Sequence, residues 1–159
     1  MCNKNGPLGP FCFPVHVSAH EATLISNVMI TSAIPVIAVS DSARAEDYYC
    51  RVLGFQKMFA YQPDTTKPEP RYLGIARDGV WLHLDSHKPE RAGMTGAFFW
   101  VADVDRLYEE VSARGAAIRL PPTHQTWGTR EAAICDPDGN VLVFATRPPD
   151  ATNVASPLH

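Results

Sequence analysis

The chain has 159 residues, 45% hydrophobic and 19% charged. That is about one domain of soluble globular composition, and it excludes disordered and fibrous classes. Fourteen basic against seventeen acidic side chains leave a formal charge of −3 with no Lys/Arg run, so neither nucleic acid nor an anionic membrane is an expected partner.

Cys2, Cys12, Cys50 and Cys135 show neither zinc nor redox spacing, which points to a cytoplasmic location. No stretch approaches the ~18 apolar residues of a membrane span. Residues 1–33 carry only two charged side chains, Lys4 and Glu21, and are broken by Pro7, Pro10 and Pro14. They read as an extension with a short helix over 21–29.

The first β-rich run is 34–40 (IPVIAVS). Asp41 then caps a helix whose apolar positions Ala45, Tyr48, Tyr49, Val52 and Leu53 fall on one stripe, with Gly54 as its stop. Strands are expected over 55–62, 71–77 and 80–85, the last two joined by the Asp78-Gly79 turn.

The pattern then repeats. Residues 97–102 (AFFWVA) form a strand and Asp103 caps a helix with Val104, Leu107, Tyr108 and Val111 on its stripe, ending at Gly115. Strands follow over 116–120, 129–135 and 140–145, with Pro121-Pro122 opening a loop and the segment from Asp136 to Gly139 making a tight turn. The order βαβββ occurs twice, and DGVWLHL in the first copy answers DGNVLVF in the second. The expected fold class is α+β, one domain over 34–147 built of modules 34–88 and 95–147, with a flexible tail over 148–159.

The paired modules and the segment WGTREAAICDPDGNVLVF (127–144) resemble the glyoxalase/bleomycin resistance group of the vicinal oxygen chelate superfamily, in its bleomycin-resistance-like branch. The resemblance implies that each module curls a mixed sheet around one side of a concave ligand cavity. It also implies that metal-dependent relatives take ligands from the first and last strands of each module. Those positions hold Ile34, His83, Gly96 and Val143 here, and a lone His83 is too few ligands for a catalytic ion, so no metal and no cofactor are expected. His87, His124 and Asp85 are the nearest substitutes, without a specific metal spacing.

Strand side chains alternate between faces. With His83 and Val143 facing the cavity, its walls become Trp81, His83, Phe98, Trp100, Trp127 and Glu131, with Phe59 and Tyr61 from the first module. Aromatic walls bind planar or cationic groups, and a carboxylate among them calls for a cationic partner. The function expected is metal-independent binding and sequestration of a bulky aromatic, cationic small molecule such as a bleomycin-type antibiotic. The resemblance implies a homodimer in which modules of two chains complete each cavity.

Three alternatives stay open. The same fold supports lyases, isomerases and dioxygenases, for which His83, His124 or Glu131 would be acid/base groups. The tryptophans could equally fill a core, and Glu131 could pair with its neighbour Arg130 on the surface.

Overall fold

The computed structural model describes residues 29–148; the helix expected over 21–29 and nearly all of the C-terminal tail lie outside the described residues. The strands and helices all belong to the unit that begins at Ile34. In chain order they are β1 (Val36–Ala38), α1 (Ser42–Asp47), β2 (Gln56–Tyr61), β3 (Tyr72–Arg77), β4 (Val80–Asp85), β5 (Gly96–Trp100), α2 (Val104–Ala113), β6 (Ala117–His124), β7 (Arg130–Cys135) and β8 (Val141–Thr146). The first sheet runs β1-β4-β3-β2 and the second β5-β8-β7-β6. In each, the first strand lies parallel to the last, β1 on β4 and β5 on β8, and the remaining pairs are antiparallel. This is the pair of mixed sheets that the family resemblance implies.

Both helix starts follow from a short acidic side chain in extended conformation. Asp41 Oδ1 accepts from the Arg44 amide at 2.9 Å, and Asp103 Oδ1 from the Arg106 amide at 3.0 Å. The β3–β4 turn needs two consecutive residues at positive φ, and Asp78 (52°) with Gly79 (80°) supplies them.

Two expectations need correction. The first helix does not keep a uniform pitch to Leu53 but widens over Tyr48–Val52, where the Leu53 amide reaches back to Tyr48 O. The widened turn directs both tyrosine hydroxyls at the opposite module: Tyr48 donates to Cys135 O at 2.9 Å and Tyr49 to Asp136 Oδ2 at 3.1 Å. Pro121-Pro122 does not open a loop, because β6 runs through both prolines to His124. As the outermost strand it needs no amide partner on one side, and its register shifts there.

The two modules share one core. Ile37, Leu73, Ile75, Leu82 and Leu84 of the first sheet, and Phe99, Ala132, Ile134, Leu142 and Phe144 of the second, cluster with Tyr49, Val52, Val104 and Val111 from the helical segments. At one junction a buried polar knot seals the modules. Asn140 Nδ2 donates to Ala38 O and to Asp136 Oδ2, both at 2.8 Å, while its Oδ1 accepts from Gly93 N, Thr95 N and Thr95 Oγ1. Burial, reinforced by the charge of Asp136, pushes the Tyr49 phenol far above its ordinary range, so it stays a donor. At the opposite junction Arg77 donates to Leu53 O and to both carboxylate oxygens of Glu110 on α2.

Asn140 is fully buried, so Asn140→Ala strands donors and acceptors from both modules. We expect it to lower the unfolding free energy by about 3 kcal/mol in urea denaturation, and a loss below about 1 kcal/mol would show that the knot does not hold the modules.

Candidate functional site

Because each sheet turns its aliphatic set to the core, the alternate side chains share the opposite, open face. On the first sheet the register sets Val36 beside His83 and Ala38 beside Asp85 on β4, Gly74 and Tyr72 next on β3, and Phe59 and Tyr61 outermost on β2. On the second it sets Phe98 beside Val143 and Ala133, and Trp100 beside Ala145 and Glu131. Phe59, Tyr61, Trp81 and His83 thus share one face of the first sheet, and Phe98, Trp100 and Glu131 one face of the second.

The first-sheet cluster centres on His83. Its ring is met edge-on by Tyr72 at 5.2 Å, Phe59 at 5.5 Å and Trp81 at 6.5 Å between centroids. Tyr72 hydroxyl and His83 Nδ1 share a hydrogen bond of 2.9 Å. Phe59 lies over Gly74, where any Cβ would collide with its ring, so the glycine is what seats the phenylalanine. Burial and the nearby Asp85 charge raise the Tyr72 phenol above its usual range. Tyr61 is exposed farther along β2, and Asp85 is paired with His87 at 2.7 Å.

The second-sheet cluster is built differently. Phe98 and Trp100 pack edge to face at 5.0 Å and are each 49% exposed. Arg147 places its guanidinium 4.8 Å over the Trp100 ring, a cation–π contact. Trp127, on the loop entering β7, is 67% exposed. Its Nε1 donates to Glu131 Oε1 at 2.9 Å, and Thr129 Oγ1 donates to the same oxygen at 2.6 Å. Glu131 itself is only 8% exposed.

The surface pairing of Glu131 with Arg130 is not formed. Arg130 turns to α2 and grips Asp105 with both Nε (2.8 Å) and Nη2 (2.7 Å). Among the described residues no Lys, Arg or His pairs with Glu131.

Of the eight predicted site residues, Phe59, Trp81 and His83 gather on the first sheet with Tyr61 farther along β2, while on the second Phe98 pairs with Trp100 and Trp127 with Glu131. Among the described residues, two clefts touch these groups only at an edge. One of about 820 Å3 opens between α2 and the β3–β4 turn over Phe55, Phe99 and Phe144, with Trp100 at its border. Another, of about 430 Å3, touches Trp81, Met58 and Arg114.

Two members of the clusters escaped the sequence reading. Tyr72 alternates with Leu73 and Ile75 and could have been found from that parity; Arg147 could not, since its place over Trp100 depends on the end of β8. The residues flanking the expected ligand positions do not fit a chelated ion: His83 stands beside Val36, and Phe98 beside Val143. Among the described residues no three His, Cys, Asp or Glu side chains converge as metal ligands.

The sequence profile of the Glyoxalase/Bleomycin resistance protein/Dioxygenase superfamily matches residues 29–144. The chain belongs to this superfamily. Among solved structures, it is similar to the bleomycin-binding protein from bleomycin-producing Streptomyces verticillus complexed with copper(II)-bleomycin, at 27% identity over 76% of this chain and 98% of that one, TM-score 0.61. It is similar to TnmS3, an antibiotic binding protein from Streptomyces sp. CB03234, at 29% identity over 76% and 99% of the two chains, TM-score 0.61. TioX from Micromonospora sp. ML1, at 22% identity over 73% and 98%, TM-score 0.59, shares the fold. No curated protein matches. Among the described residues of this superfamily member, no helix is long and apolar enough to cross a membrane.

The Arg130 hydrogen bond is the main cause holding the Asp105 carboxyl below its usual range. A group with a lowered folded pKa contributes its stability above the unfolded value and loses it as pH falls through the folded one. Asp105→Asn should therefore flatten that portion of the acid limb in a stability-versus-pH series; an unchanged limb would contradict the pairing.

Proposed function

We propose that the protein binds and sequesters a bulky, planar aromatic cation, with bleomycin-type antibiotics as the class to test first, and that it makes or breaks no bond in doing so. The observation that carries this reading is the second-sheet face: a buried carboxylate that no cation among the described residues pairs with, bonded to the exposed Trp127 indole. Desolvating an anion is costly unless a positive group or hydrogen-bond donors answer it. Trp127 and Thr129 answer one oxygen of Glu131. A ligand cation would answer the other.

The guanidinium of Arg147 over the Trp100 ring, a positive charge held on one of these aromatic faces, supports the reading. The likeness to a protein described as bleomycin-binding, and to another described as antibiotic binding, supports the same class. In this reading the protein works as a cytoplasmic homodimer without a metal of its own. The first-sheet face of one copy, with Phe59, Tyr72 and Trp81, supplies the second wall of each site. The outermost strand β2 is exposed along its whole length, which supports a partner there.

A second reading, an enzyme of the same fold, draws on the Tyr72–His83 pair as a proton-transfer couple. Metal analysis of protein purified without chelator separates the two, because a stoichiometric transition ion favours the enzyme.

Titration with bleomycin and a panel of planar cations should quench tryptophan fluorescence saturably. Trp127→Ala should weaken that binding about tenfold, the scale of one lost stacking or cation–π contact. Silence across the whole panel would overturn the reading.

A further inference from the structure

Resting on that reading, we infer that Glu131 is a positioning residue for Trp127: the Thr129–Glu131–Trp127 chain of hydrogen bonds fixes the indole in the pose that stacks on the ligand. Trp127 stands on a loop and is two-thirds exposed, so packing does little to hold it. The loop backbone is closed by Gln125 N to Thr129 O at 2.8 Å and Gly128 N to Gln125 O at 3.0 Å, with Gly128 at φ 95°. That fixes the Cα of Trp127 and leaves its side-chain torsions free. An exposed indole would otherwise sample several rotamers, and ordering one on ligand binding costs on the order of 1 kcal/mol.

Glu131 removes that freedom. Its own side chain is buried on β7, and the Thr129 hydroxyl, also buried, orients the carboxylate by donating to Oε1 at 2.6 Å. The same oxygen takes the indole N–H at 2.9 Å. Both donors converge on Oε1, so Oε2 is the oxygen left for a ligand's charge.

Two consequences for specificity follow. The indole N–H is already committed, so Trp127 offers a ligand its ring face and no hydrogen-bond donor; recognition there selects planar rings. A donor bonded to a carboxylate is also polarised, which enriches the indole in electrons and strengthens its attraction for cations.

The test uses the full chain, 1H–15N NMR of the indole N–H groups, and two planar probes, neutral phenazine and cationic proflavine. Trp127→Phe identifies the Trp127 cross-peak. Glu131→Gln keeps a carbonyl acceptor and loses the charge; Glu131→Ala loses both. The Trp127 peak should lie downfield and exchange slowly with water in the wild type and in Glu131→Gln, and move upfield with fast exchange in Glu131→Ala. Thr129→Val, which leaves the carboxylate without its second donor, should move the peak part-way.

Phenazine affinity should fall about fivefold in Glu131→Ala and recover in Glu131→Gln, whereas proflavine affinity falls in both. An indole peak unmoved by Glu131→Ala, or equal phenazine losses in the two variants, would overturn the positioning role. A moved peak combined with titrations that Trp127→Ala leaves unchanged would support the clamp and instead overturn the stacking site.

Discussion

A β-strand can turn only every second side chain toward a given layer, and both sheets of this protein turn their aliphatic set toward one shared core. The other set is then forced onto an open face, whatever its chemistry. In the first sheet that set is aromatic around His83; in the second it holds Phe98, Trp100 and Glu131, the last bonded to Trp127 of the adjoining loop. The function argued here depends on this constraint: indoles and a carboxylate occupy positions from which the core has excluded no polar group, and the knot of Tyr49, Asp136 and Asn140 holds the two sheets in one body.

The two faces differ in how their polar group is satisfied. His83 has a phenol partner and three rings around it, a self-contained cluster. Glu131 has neutral donors on one oxygen only, although the guanidinium of Arg130 precedes it in sequence on the other side of the strand. Arg130 alternates away to Asp105 on the helical layer, so the period that brings the indoles together also separates the natural counter-ion. In the proposed function a cation from outside answers the Glu131 oxygen that Trp127 and Thr129 leave free. The same superfamily membership is compatible with catalysis: Val36 and Gly74 stand beside His83 in the register, and Tyr72 is the group that hydrogen-bonds it.

Much of the fold was legible because its signals are local. Strand β4 matches its predicted limits, since the Asp78-Gly79 turn and the alternation of Trp81, His83 and Asp85 with Leu82 and Leu84 are both within a few residues. Both acidic caps were equally readable. What was not legible depends on distant partners. The widened turn at Tyr48–Val52 serves contacts to Cys135 and Asp136 far along the chain, and the passage of β6 through two prolines reflects its place at a sheet edge. For the site, alternation told which face each aromatic takes. It could not tell that the residues gather around His83 on one sheet and in two pairs on the other, nor that Arg147 lies on Trp100, because register and strand ends set those.

The central claim is that the second-sheet face, and not the cleft beneath α2, holds the ligand. The most direct measurement is a crystal structure of the protein grown with bleomycin. The account predicts a planar ring lying on the Trp127 indole with a positive group at Glu131 Oε2. Density for the drug over Phe55, Phe99 and Phe144, with the indole face bare, would contradict it.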